Sequence, residues 1–519
     1  MHLFSDSELR KFIIPERRNK MAEIAVDHAK KSKTGDFAID HGKMEDWGRA
    51  DLPAPPPFVR RNIMAIIGPG TIALSMSIGS GEWLMGPAVA SQYGAALLWI
   101  TTVAVIFQVI FNQECARYVM YTGETAYAGF MRCSPGPTFW AIAYILIAFF
   151  GSGWPGWAAG SASALYAAIF GHIPTPADRG MMIGLGYVSF AGCFAVLLFG
   201  GTVERGLEKI STFIVIWIAV FLLAFNLYFV SAGTWWSTFT GFFQFGYFPK
   251  GADWVLLGGF AAYSGAGGLG NVWTASWIRD KGFGMGSIVG AIPSAIGGRE
   301  IVLSKIGSVF DPAKPSNLSA WKTWWKYLHM DQAVLWGGGC IAGMYLCVLL
   351  GVGIIPAGTK LTGIGAGAYQ AEYMAKFWSP LWFISLFTGF WILWGTQLAV
   401  IDGVVRTVTD IVWTSSKSFH NRKNGQKILY YTALTAFCIW GCIALNLAAP
   451  MTLLLINANV SGFVFVLASM QLIVMNRTFL PPQVRAPLWR EIMLVLMALF
   501  YGFFVIALVG KQTGWWTVG

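Results

Sequence analysis

Charge is scarce in this 519-residue chain: Asp, Glu, Lys and Arg together make up 12% of it, about half the share usual in soluble domains. That excludes a water-facing globule, and a hydrophobic content of 55% with mean hydropathy +0.57 places the chain in a membrane. Histidine is rarer still. The six, at positions 2, 28, 41, 172, 329 and 420, lie outside the apolar runs, which excludes a histidine proton relay through the bilayer. The seven cysteines (115, 133, 193, 340, 347, 438 and 442) are scattered, mostly within apolar runs. Cys438 and Cys442 share a helical face, yet small buried thiols are the reading for all seven rather than metal or disulfide chemistry. There is no His-Glu-x-x-His, no intramembrane pair of Gly-x-Gly-Asp aspartates and no Walker-type loop, so nothing points to an enzyme or to a cofactor.

What is abundant is apolar sequence in windows of about 20 residues. Eleven such windows follow one another, at about 63–93, 95–118, 138–168, 179–200, 210–231, 253–278, 332–355, 379–404, 429–448, 451–475 and 490–510. They are called spans 1 to 11. Residues 1–62 are polar, carry no run of signal-peptide length and end in the Pro-rich stretch Pro53 to Pro57 before Arg60 and Arg61. They read as a partly flexible extension without a cleaved signal. The net charge of +11 would point to nucleic acid in a soluble protein, but here it maps onto topology. With the N-terminus inside, 31 of the 36 basic residues fall in cytoplasmic segments and only Arg179, Lys250, Lys360, Lys376 and Lys511 fall outside. The positive-inside rule therefore supports eleven crossings, a cytoplasmic N-terminus, an external C-terminus and no nucleic-acid partner. The loop 279–331 is long, and its stretch Trp321, Lys322, Trp324, Trp325, Lys326 reads as a surface helix, a gate segment or an ordinary amphipathic connector.

Two spans carry clusters of helix-breaking residues. Span 1 reads Gly79-Ser80-Gly81-Glu82, and span 6 reads Ser264-Gly265-Ala266-Gly267-Gly268-Leu269-Gly270-Asn271. Each glycine costs about 1 kcal/mol relative to alanine inside a helix. One such cluster is explained by close helix packing, but two, five spans apart, point to an inverted repeat with broken helices at a central site. The repeats are 63–231 and 232–475, with 476–519 holding one extra helix. Freed carbonyls and half-helix ends at such breaks suit a cation. Glu82 is the one carboxylate placed near mid-membrane, where an ionisable group is functional by default. Glu114 with Arg117, and Asp402 with Arg406, are spaced as ion pairs at the inner ends of spans 2 and 8, the latter also as a possible gate latch. Trp154-Pro155-Gly156-Trp157 kinks span 3.

The order and spacing of several short motifs resemble the natural resistance-associated macrophage protein (NRAMP) family of proton-coupled divalent metal transporters. They are Gly68-Pro69, Ser91-Gln92-Tyr93-Gly94, Thr122-Gly123-Glu124, the turn Gly171-His172-Ile173-Pro174, Leu207-Glu208 and Gly395-Thr396-Gln397. The resemblance implies an all-α, LeuT-type 5+5 fold with helices 1 and 6 broken, and a substrate site at Gly79, Ser80, Gly81, Glu82, Gly268, Gly270, Asn271 and Gln397. The family's ion chemistry is not carried over intact. Its Asp-Pro-Gly-Asn break aligns with Gly79 to Glu82, and its Met-Pro-His-Asn break with Gly268 to Asn271, so its metal-binding aspartate, its thioether and its histidine are missing here. The acidic positions of span 3 fall at Pro155 and Ala158.

With sulfur removed, Glu82, the Ser80 hydroxyl, Asn271 and backbone carbonyls make an all-oxygen donor set, with Glu82 and Asn271 as metal ligands. Such a set suits a hard ion such as Mg²⁺ better than Mn²⁺ or Fe²⁺. The expectation is a secondary transporter moving a cation by alternating access within the lipid bilayer of the cell membrane. The alternatives are a carrier of a non-metal solute or organic amine, and a non-transporting membrane sensor. Oligomeric state is not specified by any of these residues.

Overall fold

The computed structural model describes residues 40–199, 202–292, 294–296, 304, 306–361, 368–416, 419, 422 and 424–515. Among them, nine helices are long and apolar enough to cross a membrane, or ten if the bent pair Arg60–Ile66 and Pro69–Tyr93 is one span. Span 6 is present as two short helices, Trp254–Tyr263 and Leu269–Lys281. The eleventh crossing is counted only if these two halves form one span, which helix length alone does not establish. The remaining boundaries follow the apolar windows except at two ends: the helix of span 7 already begins at Pro315, and span 8 is a single helix over Leu381–Ser415.

Span 1 enters through Pro69, whose missing N–H suits the first helical turn. Its N-terminus is capped from another span: Asp331 accepts from the N–H groups of Gly68 and Gly70, both at 2.9 Å. Span 3 is divided into Pro137–Ser152 and Gly156–Phe170 at the Trp-Pro-Gly sequence. Its second half packs along span 8. Span 1 packs against spans 5, 7 and 8 and against both halves of span 6, so the middle of span 1 is enclosed by helices.

Among its described residues, the predicted loop 279–331 is built into the bundle rather than left as a bare connector. Its aromatic-basic stretch lies in a helix, Pro315–His329, that runs without a break into span 7. Trp321, Trp324, Tyr327 and Leu328 are buried, and Lys322 and Lys326 are exposed. The Gly-rich half crosses one face of the bundle, with Met285 N–H donating to Met120 O, Val203 N–H to Ile292 O and Ala295 N–H to the Tyr431 hydroxyl.

Residues 40–59 of the predicted flexible extension are docked on that same face, while 1–39 lie outside the described residues. Gly48–Arg49 pair in parallel with Ser308–Val309. Trp47 is buried against Tyr118 and Phe479, with the Arg132 guanidinium 4.1 Å from its ring centroid. Arg132 in turn donates to Glu124 and to the carbonyls of His41 and Glu45. An aromatic ring and a set of backbone acceptors thus anchor a segment whose composition alone reads as flexible. This segment is called the strap, and the side on which it lies the strap face.

Candidate functional site

The two glycine clusters meet at the centre of the bundle, but only one of them is a break. In span 6 the chain leaves helical geometry over Ser264–Gly268, with φ of +130°, +73° and +54° at Gly265, Gly267 and Gly268. Those values are open to glycine and strained for other residues. The backbone groups released there are held from span 2: the Gln108 side-chain amide donates to Ser264 O and its carbonyl accepts from Ala266 N–H, both at 3.1 Å. Thr101 pairs with the Ser264 hydroxyl at 2.9 Å. This satisfies the polar backbone that an apolar bilayer would otherwise penalise.

In span 1 the expected break is absent. Pro69–Ser77 continues through a π-helical segment, Ile78–Met85, into Gly86–Tyr93. The physical reason is packing. A Cβ on Gly81 would stand 1.7 Å from the carbonyl oxygen of Tyr263, and one on Gly79 would stand 1.8 Å from the Thr396 hydroxyl. These glycines admit the last turn of the first half of span 6 and the side of span 8, and the wider π turn keeps the backbone hydrogen-bonded. Such turns recur at functional sites.

The π segment sets the direction of Glu82. It is fully buried, and both its carboxylate oxygens lack a hydrogen-bond partner among the described residues. Among the described carboxylates, Glu82 has both oxygens fully buried and unpartnered, whereas Glu204 has one. Glu82 leans toward span 7: its Cγ lies 3.7 Å from where a Cβ would sit on Gly343, and the Cys340 thiol lies beside it. Asn271 opens the second half of span 6 on another side, donating to Asn112 of span 2 at 2.8 Å and leaving its own Oδ1 unpartnered. Gln397 is on a third side: its Oε1 accepts from Ser189, its Nε2 is unpartnered, and it borders a small void beside Trp157 and Pro155.

Glu82, Asn271 and Gln397 therefore bond to no common partner, although they border the same central crossing. The side chain of Ser80 lies outside the described residues. Gly268 and Gly270 serve as contact points: a Cβ on Gly268 would lie 2.9 Å from Ser461 of span 10, and one on Gly270 would lie 2.7 Å from the methyl of Met76 and 3.5 Å from its sulfur. The all-oxygen surroundings expected from the sequence are thereby corrected. Span 1 brings a thioether to the span 6 break, and span 7 brings a thiol to Glu82.

The ion pairs are larger than their spacing implies. Arg117 bonds both oxygens of Glu114, through Nε at 2.7 Å and Nη2 at 3.0 Å, and Arg490 of span 11 joins them. Asp402 and Arg406 sit well inside span 8, which continues to Ser415, rather than at its inner end. Arg406 bonds Asp402 at 2.6 Å and also Asp280 at the end of span 6, and Arg279 connects Asp280 to Asp410. Asp402 further accepts from Trp277 and Tyr430. This cluster ties the second half of span 6 to span 8. Gln108, Asp280 and Asp331 were not singled out by motif. An amide within the apolar run Val105 to Phe111 was the available signal for Gln108.

Solved structures settle the architecture. Crystal structures of an Eremococcus coleocola manganese transporter align over 89% of this chain and 90% of theirs, with 14% identity and TM-score 0.56. A second aligns over 92% and 91% with TM-score 0.55, and a third, with an aromatic bis-isothiourea compound bound, has TM-score 0.53 at 13% identity. The chain has that transporter fold. No family model matches the sequence, and no curated protein matches it either. At this identity the transporter fold is shared across nearly the whole chain, whereas the residues at its centre are this chain's own.

Proposed function

We propose that the protein is a secondary transporter that moves a small cation across the membrane by alternating access between two five-span repeats, 63–231 and 232–475. The observation that carries this reading is Glu82. An ionised carboxylate buried without a partner costs several kcal/mol unless a cation joins it, and this one lies at the π turn of span 1 with no cation beside it among the described residues. A site that lacks its counter-charge until substrate arrives is what a cation carrier requires. The structural neighbours are manganese transporters, but the acceptors left unpartnered here, both oxygens of Glu82 and Oδ1 of Asn271, are oxygens. They favour a hard divalent ion such as Mg²⁺ over Mn²⁺ or Fe²⁺.

A second reading has its own observation. The sulfur atoms of Met76 and Cys340 beside the same groups favour a softer ion such as Mn²⁺. Uptake of Mg²⁺ and Mn²⁺ into proteoliposomes separates the two. Wild type should accumulate Mg²⁺ faster, and Glu82→Gln should lose most of that uptake. Faster Mn²⁺ uptake selects the second reading, and uptake that Glu82→Gln leaves unchanged removes Glu82 from either.

A further inference from the structure

Spans 1, 5 and 7 enclose a groove of about 390 Å³ that the transport site does not use. Every residue lining it is aliphatic, methionine or glycine. It starts at Ile67 and Met330 on the strap side and ends at Ile78 and Gly343 beside Glu82. Helix from Pro69 to Ile78 makes most of the span 1 wall, about 14 Å of rise, with Ile67 at the bend just outside it. That is roughly half of the ~30 Å hydrocarbon thickness, the depth of one leaflet. The groove therefore matches one extended chain reaching from the interface to the midplane.

Its mouth is basic. Lys326 is four residues before Met330 on the same continuous helix, which puts it one turn below the opening, with Lys322 a further turn below. Both lysines are exposed, and the Lys326 ammonium lies 6.0 Å from the ring centroid of Phe58, two residues before exposed Arg60. None of the three makes an ion pair among the described residues. Both acids at the bend of span 1 are already engaged: Asp331 is buried and accepts from the N–H groups of Gly68 and Gly70, and Glu208 stands against Gly68 and is paired with Lys281. An apolar slot of leaflet depth under uncompensated cations calls for a ligand with one hydrocarbon chain to bury and a negative head.

We propose that this groove is a binding site for an anionic phospholipid, with an acyl chain between spans 1, 5 and 7 and its phosphate held by Lys326, Lys322 and Arg60. The lipid braces span 1 against spans 5 and 7, the contact that must change when the central site opens. Thermal unfolding of the full-length protein in micelles, titrated with phosphatidylglycerol or phosphatidylcholine, tests it. Phosphatidylglycerol should raise the Tm saturably and phosphatidylcholine should not. Lys326→Gln and Lys322→Gln should each weaken the phosphatidylglycerol affinity about five-fold, and Lys326→Arg should retain it. Ala342→Trp, at an exposed position of the groove wall, should abolish the response while the Tm in detergent alone stays near wild type. If that variant fails to fold, Ala219→Phe on the span 5 wall serves instead. Equal responses to the two lipids overturn the headgroup assignment. A phosphatidylglycerol response that survives both wall variants overturns the groove.

Discussion

Span 1 and span 6 carry glycine clusters that look alike as sequence and behave differently as structure. In span 6 the glycines take backbone angles that other residues avoid, and the helix ends and restarts. In span 1 the glycines stay helical, in a π turn, and their use is to let other backbone come close. The pair teaches that glycine reports a lack of side chain before it reports a lack of helix. Which of the two is needed depends on the neighbour, here the carbonyl of Tyr263 at Gly81 and the amide of Gln108 at the span 6 break.

That contrast can be broken by substitution, and the largest effect is expected at Gly81. Gly81→Ala places a methyl inside contact distance of rigid backbone, which should destabilise by about 3 kcal/mol or more, seen as a loss of folded protein or a large fall in Tm. A tolerated alanine would mean that the two helices are not in close contact. Next is Gln108→Leu, which leaves Ser264 O and Ala266 N–H unpaired in an apolar setting. At about 1–3 kcal/mol for each unsatisfied group, its Tm should fall clearly, and an unchanged Tm would show that the span 6 break is held by something else.

A smaller effect is expected where backbone angle dominates. Gly268→Ala, at φ +54° and near Ser461, should cost about 2 kcal/mol. Gly171→Ala, at φ +77° with nothing within 4 Å, should cost only about 1 kcal/mol of left-handed strain. Equal losses at the two sites would mean that the contact with span 10 adds nothing.

The smallest effect lies at the strap. Burial raises the Glu124 carboxyl, but the Arg132 guanidinium bonded to it outweighs burial and holds it below its ordinary value. A group lowered in the folded state contributes stability that is fully present above its unfolded value of about 4.3 and is lost as the pH falls through the folded value. Amide exchange at Lys43, which donates to Arg132 O, should quicken beyond its intrinsic rate over that acidic window and not at neutral pH. Protection that is flat through the window would detach the strap from Glu124.

Much of the fold is legible in the sequence because bilayer length and glycine cost are strong local signals. The window at 253–278 and the cluster at 264–271 lead directly to the broken helix. Distant partners are not legible. No spacing rule links Arg406 to Asp280, 126 residues away, or shows that Trp47 would be held by Arg132. The same limit applies to the site. Glu82 is identifiable as the lone central carboxylate, but its direction depends on a π turn, and a π turn and a break begin from the same glycines. Sulfur from Met76 and Cys340 reaches the centre through packing of other turns and spans, where motif alignment assigns no donor.

The central claim is that Glu82 lacks a partner because the substrate supplies one. Calorimetric titration of the purified protein with Mg²⁺ tests it most directly, comparing wild type with Glu82→Gln, which keeps the shape and removes the charge. Saturable binding by wild type and its loss in Glu82→Gln, with the variant's Tm no lower than wild type, is the predicted result. Equal Mg²⁺ affinity in the two proteins would contradict it.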